Sequence, residues 1–264
     1  PWIFGIPVNL KLSFSQKKAD STYIKYGFDS EIDYMFSSDI TLSALFSTYN
    51  IIAGTRVIPR FTVYNSSLFS SGVKITYDTR DSRLVSRKGL LFSNSYELAV
   101  KKITGPEEYL LKDDPRKISH HKMKFDLEFY QRIFSNQIAV LKLRWREIQG
   151  DETQPDDLFL LGGTNSLRGY REEQFQGNRL IYSNLEYRFL MDENSYAFLF
   201  FDAGHFLRKE IKKEAVPELK GFKTGYGLGL GIGTGLGLLN VSYALGEGDG
   251  ISKGKIHFGI QSGF

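Results

Sequence analysis

The sequence predicts an all-β protein, and more specifically a transmembrane antiparallel β-barrel of about twelve strands. Three observations support this prediction. Apolar and polar residues alternate with a period of two along most of the chain. The connections between these segments switch between short turns and longer loops, and aromatic residues gather at the segment ends.

Period-two alternation identifies the strands. Successive side chains of a strand point to opposite faces, so alternation marks a sheet whose two faces meet different surroundings. The first predicted strand has one apolar face (Ile6, Val8, Leu10, Leu12, Phe14) and one polar face (Asn9, Lys11, Ser13, Ser15). In order, the predicted strands are 6–15, 24–36, 40–48, 73–78, 90–100, 122–129, 137–145, 179–189, 196–203, 225–233, 239–245 and 255–264.

The connections give a second, independent indication. Short turns are predicted at 37–39, 83–88, 134–136, 192–194 and 234–237, and longer loops at 51–69, 103–121, 150–177, 205–222 and 246–254. Only 17–21 is short where a loop is expected. Outer-membrane barrels have short periplasmic turns and long extracellular loops. With twelve strands, both chain ends are then expected on the periplasmic side.

Aromatic residues separate a membrane barrel from a soluble β-sandwich, the main alternative. They lie near strand ends, where membrane barrels carry interfacial girdles, at Trp2, Tyr23, Tyr34, Phe36, Trp145, Tyr187, Phe189 and Phe264. The opposite faces are charged, as expected for a wet lumen. The last strand alternates apolar residues up to a terminal aromatic (Ile256, Phe258, Ile260, Phe264). This pattern resembles the terminal signal by which outer-membrane proteins are recognised for insertion.

Composition excludes several classes of function. Lys and Arg number 34 against 30 Asp and Glu, and this near-balance of +4 does not indicate nucleic-acid binding. Cysteine is absent, so there is no thiolate site, and no apolar run is long enough for a spanning helix. No signal peptide is visible, so an exported chain would be a processed form. The pairs Lys101-Lys102 and Asp156-Asp157 are expected to be solvated loop charges, and His120-His121 is expected in a loop and lacks metal-ligand spacing. We therefore expect no metal, no cofactor and no enzymatic activity.

The most informative motif lies in the predicted loop 150–177. Residues 160–170 read Leu-Leu-Gly-Gly-Thr-Asn-Ser-Leu-Arg-Gly-Tyr, and 183–189 read Ser-Asn-Leu-Glu-Tyr-Arg-Phe. This stretch resembles the bacterial surface antigen superfamily of BamA-type insertases, TamA-type translocation modules and two-partner secretion transporters. In that family a long extracellular loop folds into the barrel and carries a (Val/Ile/Leu)-Arg-Gly-(Phe/Tyr) tip. Four residues match the tip: Leu167, Arg168, Gly169 and Tyr170.

The resemblance covers roughly residues 70–264, because it extends to Tyr-Asp-Thr-Arg-Asp at 77–81 and Phe-Asp-Ala-Gly at 201–204. It departs from the family in strand number, since family barrels have about sixteen strands and are preceded by periplasmic POTRA domains. We expect one barrel domain over residues 1–264, with no POTRA domain visible. The barrel then closes with twelve strands, forms part of a 16-stranded barrel, or pairs its edge with a second copy.

Two carboxylates are candidate partners for the loop tip. By parity, Glu186 lies opposite Tyr187, and Asp202 lies opposite Phe201, so both are expected to face the lumen from neighbouring strands. The resemblance implies that Arg168 binds both and fixes the loop inside. The alternative is that the two acids only solvate the lumen.

Glycine occupies every other position of a later strand (Gly225, Gly227, Gly229, Gly231, Gly233). The spacing of a dinucleotide-binding loop is absent. The row instead predicts a bare lumen face that a bulky element, such as the folded-in loop, can approach closely.

Three functions remain open. In an insertase, the seam between first and last strands opens and templates incoming strands, which predicts weak pairing there. In a secretion pore, the loop plugs a channel through a stable barrel. A passive porin or structural barrel would not need the loop tether. Expected partners are the lipid bilayer, client outer-membrane or secreted proteins, periplasmic domains or accessory proteins, and a second copy.

Overall fold

The computed structural model describes residues 2–3, 6–19, 22–54, 63–107, 110, 115–150, 153–211 and 215–261. Its strands are β1 (Trp2–Ile3), β2 (Ile6–Ala19), β3 (Tyr23–Met35), β4 (Ile40–Ala53), β5 (Asn65–Asp78), β6 (Gly89–Gly105), β7 (Lys117–Phe134), β8 (Gln137–Gly150), β9 (Phe159–Leu161), β10 (Phe175–Gly177), β11 (Arg179–Leu190), β12 (Tyr196–Arg208), β13 (Leu219–Thr234), β14 (Gly237–Gly246) and β15 (Lys255–Gln261). Two short 3₁₀ turns lie at Pro155–Asp157 and Ile251–Lys253. No helix in the described ranges is long and apolar enough to cross a membrane.

One antiparallel sheet contains all strands except β9 and β10, which pair with each other. Its order follows the chain from β1 to β15, so each strand pairs with its sequence neighbours. This confirms the predicted all-β antiparallel architecture with twelve long strands, to which the two-residue β1 is added.

Several strand limits differ from the prediction. β5 begins at Asn65 instead of Val73, because serines on both faces of its first half hide the alternation. β7 begins at Lys117, so His120 and His121 lie on a strand and not in a loop. His120 is buried on the inner face, whereas His121 is exposed on the outer face.

The two faces of the sheet differ as the period-two pattern requires. The outer face carries large apolar side chains that are largely exposed, such as Leu199 at 60%, Leu228 at 58% and Phe258 at 66%. Such a continuous exposed apolar band fits a lipid environment. The inner face carries most of the charged side chains, including Lys101, Glu186 and Asp202.

The connection between β8 and β11, described from Thr153 to Asn178 and here called the inner loop, lies inside the curved sheet. Its residues accept hydrogen bonds from two side chains near one end of the strand order, Lys17 of β2 and Lys25 of β3. They also contact Asp202 of β12 and His257 of β15, near the other end. Because strands from both ends of the sheet touch one loop, the sheet must wrap around it.

The two edges of the sheet are not joined in the described residues. β15 pairs with β14, and no backbone ladder connects it to β1 or β2. The inner loop contacts both edges, through Glu173 with Lys17 on β2 and through Gly169 with His257 on β15. Phe264, proposed as the terminal signal residue, lies outside the described residues.

Candidate functional site: the loop tip and its carboxylate pocket

The tip of the inner loop, residues 162–174, projects from the small β9–β10 ladder. Leu161 pairs with Phe175 at the end of that ladder, and the chain turns sharply beyond it. Gly162, Gly163 and Gly169 have φ values of +119°, +97° and +91°, which glycine adopts without the strain of a side chain. The tip therefore has a defined backbone shape.

Apolar packing holds the tip against the inner wall. Leu167 is fully buried in a cluster with Leu161, Tyr170, Leu180 and Phe206. The carbonyl of Ser166 also accepts a hydrogen bond of 2.6 Å from the Asn184 side chain on β11. Burying a leucine of this kind contributes roughly 1.5–3 kcal/mol.

Arg168 makes a bidentate ion pair with Asp202 of β12. Its Nε donates to Oδ2 at 2.8 Å and its Nη2 to Oδ1 at 2.7 Å. The Arg168 backbone N–H also donates to Oδ2, at 3.0 Å. Asp202 is fully buried, so this carboxylate is solvated by Arg168 rather than by water.

Glu186 of β11 extends the pair into a network of four charged residues. Its Oε1 accepts from Arg168 Nη1 at 2.8 Å, and its Oε2 accepts from Arg188 Nη2 at 2.6 Å. All four members, Arg168, Asp202, Glu186 and Arg188, are buried. We call them the tip anchor. The sequence pointed to the first three, but the part played by Arg188 was not predicted.

Aromatic rings cover the guanidinium of Arg168. The Arg168 Cζ lies 3.7 Å from the centroid of the Phe200 ring and 5.6 Å from that of Phe198. Both rings point inward from β12, next to Asp202. Such cation–π contacts strengthen when they are shielded from water.

Gly169 and Tyr170 fix the tip to the strands beyond β12. The Gly169 backbone N–H donates to His257 Nε2 at 3.0 Å, so this nitrogen must be unprotonated. The Tyr170 hydroxyl donates to the Thr224 carbonyl at 2.9 Å. A Cβ added at Gly169 would lie 2.6 Å from the backbone of Leu245. No sequence pattern indicated His257, because its ring meets the tip only in the folded chain.

The glycine row on β13 faces inward, but only its first member meets the loop. A Cβ at Gly225 would lie 1.9 Å from the carbonyl oxygen of Arg168. The next three glycines face aromatic rings on β12, in the cross-strand pairs Phe200–Gly227, Phe198–Gly229 and Tyr196–Gly231. The last, Gly233, faces Asn194. The row thus accommodates mainly the inward rings of its neighbour strand.

Alanine at position 225 is expected to displace the tip, because its methyl group and the Arg168 carbonyl would occupy the same space. The measurement is the unfolding temperature in detergent, which should fall by several degrees. Gly235→Ala is the matched control, since a Cβ there meets nothing within 4 Å. Equal stability of the two variants would contradict this close packing.

The other predicted residues lie on the last strand. Ile256, Phe258 and Ile260 point outward and are exposed on β15. Within the described ranges, no group of three or more His, Cys, Asp or Glu side chains is arranged to hold a metal ion. The geometry of the tip anchor suits fixing a loop in place.

Comparisons with known proteins agree with this architecture. The family model described as the Omp85 superfamily domain matches residues 1–264. BamA from Haemophilus ducreyi, in a crystal structure lacking POTRA domains 1–3, superposes with a TM-score of 0.69 at 15% identity. That match covers 95% of this chain and 57% of the BamA chain.

A second solved structure, CdiB from Acinetobacter baumannii, matches with a TM-score of 0.48 at 14% identity, over 95% of this chain and 52% of CdiB. No curated protein matches the sequence. Because the family model spans all 264 residues, the chain belongs to the Omp85 superfamily and is an outer-membrane β-barrel protein.

Proposed function

We propose that this chain is the barrel domain of a machine that inserts proteins into the outer membrane, acting through a lateral seam. Omp85 barrels of the BamA and CdiB type are involved in protein insertion or secretion, and membership of that superfamily supports this assignment. The clients are then outer-membrane or secreted proteins. Periplasmic domains, accessory proteins or a second copy would be further partners.

The observation that carries the proposal is the pair of strand edges. In the described residues, β15 pairs only with β14. β2 pairs with β3 on one side and only with the two-residue β1 on the other. An unpaired strand edge presents a row of N–H and C=O groups that can pair with another strand. In hydrocarbon those groups have no water to bind, so an edge that stays unpaired in the membrane favours strand addition strongly.

The inner loop has a separate role in this proposal. It lies inside the curved sheet and is fixed by the tip anchor, so it supports the wall of the barrel beside the seam. Its contact with His257 on β15 links the loop directly to one of the two edges.

A secretion pore is the second candidate, and one observation favours it. A cavity of about 510 Å³ lies between the inner faces of β2 to β7. Charged side chains of both signs line it, including Lys11, Glu31, Lys74, Glu97 and Lys124. A charged cavity of this kind would suit an unfolded polypeptide in transit.

Photo-crosslinking distinguishes the candidates. We would place a photoreactive amino acid at Leu12 on β2 or Phe258 on β15, at Leu185 in the middle of the sheet, and at Ser95 in the cavity. The full chain in liposomes would then receive a urea-unfolded outer-membrane β-barrel protein as client. The first three positions are all exposed on the outer face, so Leu185 controls for non-specific contact through lipid.

An insertase is expected to give client adducts at positions 12 and 258 several-fold above those at 185. Adducts at position 95, with none at the edges, would overturn the insertase and support the secretion pore. Absence of adducts at every position would contradict both functions and leave a passive barrel.

A further inference from the structure

A second group of buried charges lies at the stem of the inner loop, away from the tip anchor. Lys101 of β6 places its Nζ between two adjacent loop carboxylates, 2.7 Å from both oxygens of Asp156 and 3.1 Å from both oxygens of Asp157. The side chains of all three residues are fully buried. We call these three residues the stem anchor.

This arrangement corrects the expectation for the two charged pairs. Lys101 and Asp156-Asp157 were expected to be solvated loop charges, but each is removed from water. The local sequence gives no indication of the contact between Lys101 and Asp156, because the two residues are 55 positions apart. Only the folding of the loop into the sheet brings them together.

The electrostatics of the stem anchor favour its assembled state. Burial, followed by the neighbouring Asp157, raises the pKa of Asp156 above its usual range. Burial also disfavours the charged form of Asp157, but Lys101, His120 and Lys122 outweigh that effect and hold its pKa below the usual range. A buried charge without its partner is strongly destabilising, so separating Lys101 from the acids is costly.

A neighbouring strand adds a contact to the same segment. Lys25 Nζ on β3 donates to the backbone carbonyl of Asp156 at 3.0 Å. The Gln154 backbone N–H donates to Asp157 Oδ2 at 3.0 Å, which shapes the 3₁₀ turn that presents both acids to Lys101. The stem is therefore tied to β3 and β6.

The two anchors lie on different walls of the sheet. The stem anchor attaches to β6, whereas the tip anchor attaches to β11 and β12, and β7 and β8 lie between them in the strand order. The segment 158–167 connects the two. Two separate groups of buried charges therefore hold the loop at different places along its length.

We propose that the inner loop is a doubly anchored plug, in which Lys101 is a positioning residue that retains the loop when the tip is released. Release of Arg168 alone lets the tip move while the stem stays on β6. The lumen opens fully only when both anchors are broken. The inference rests on the loop lying in the lumen of the barrel, as it does in both proposed functions.

Conductance across a planar bilayer tests the proposal with the full chain. The tip variant is Arg168→Ala. The stem variant combines Lys101→Met, Asp156→Asn and Asp157→Asn, so that neither the ammonium nor a carboxylate of the stem anchor is left buried without its partner. The third variant combines both changes. Lys102→Met is the matched control, because Lys102 is exposed beside Lys101.

Disulfide formation reports independently on the tip. The chain contains no cysteine, so engineered pairs have no competitor. A Cβ at Gly259 would lie 3.0 Å from Thr164 Cγ2, which makes Thr164→Cys with Gly259→Cys a probe of the docked tip. The stem variant should form this disulfide as fast as the unchanged background, and the tip variant at least several-fold more slowly.

We expect conductance to rise about two-fold in the tip variant, to stay unchanged in the stem variant and control, and to rise at least ten-fold in the combined variant. Equal conductance of the tip and combined variants would overturn the double anchor. If the stem variant does not fold, Lys101→Met with Asp157→Asn replaces it, because this pair of changes also removes every Lys101 contact with the loop, and the same order is expected. Crosslinking at the strand edges is scored separately, so loss of client capture contradicts the proposed function and not this inference.

Discussion

Alanine at position 168 is expected to lower the free energy of unfolding by about 3–5 kcal/mol, the cost of leaving buried charges without their partner. Arg168 is the only described side chain that donates hydrogen bonds to Asp202, and it shares Glu186 with Arg188. Its loss leaves the fully buried Asp202 carboxylate without a counter-ion. The ring contact with Phe200 is lost as well.

The measurement is the temperature or urea concentration at which the barrel loses its compact migration in detergent. Arg171→Ala is the control, because it removes an arginine from the same tip where the side chain is exposed. Its stability should stay within about 0.5 kcal/mol of the unchanged protein, as is usual at surface positions. Unchanged stability in Arg168→Ala would show that the tip anchor contributes nothing, as expected for a passive porin.

Replacing Glu186 with alanine is expected to be at least as damaging as replacing Arg168. Glu186 neutralises two buried guanidinium groups, those of Arg168 and Arg188. Both arginines and the nearby Lys142 line the same cavity as Glu186. Without Glu186, these three positive charges lose a carboxylate that balances them. The repulsion among like charges adds to the lost hydrogen bonds.

A double-mutant cycle shows whether Arg168 and Glu186 stabilise the protein together or independently of each other. If the residues act together, the combined change of Arg168 and Glu186 should cost clearly less than the sum of the single changes, by about 0.5–3 kcal/mol. Glu193→Ala, in the exposed turn after β11, is the matched control. Strict additivity of the two substitutions would show that they do not share one network.

Much of the fold follows from period-two alternation alone. Alternation placed Glu186 and Asp202 on the inner face because a strand's side chains have only two directions. The serine-rich start of β5 was not predicted, because serine is compatible with either face of a sheet.

The site was only partly predictable, for a different reason. Parity gives the face that a residue occupies but not the loop residue that it meets. The contacts of Lys101 with Asp156 and of Gly169 with His257 depend on how the inner loop crosses the lumen. The glycine row illustrates the same limit: its inward direction was predictable, but the rings opposite it depend on the register between β12 and β13.

The attachment of one loop to different walls has a mechanical consequence for the width of the tube. Each strand added to the seam lengthens the circumference by about 4.8 Å, and so widens the diameter by about 1.5 Å. The bonds that join the loop to the wall in the two anchors measure 2.7 to 3.1 Å, and ordinary N–H···O bonds extend to only about 3.2 Å. In the proposed insertase, admission of a foreign strand would therefore stretch the bonds that hold the loop, and those bonds would limit how far the barrel can expand.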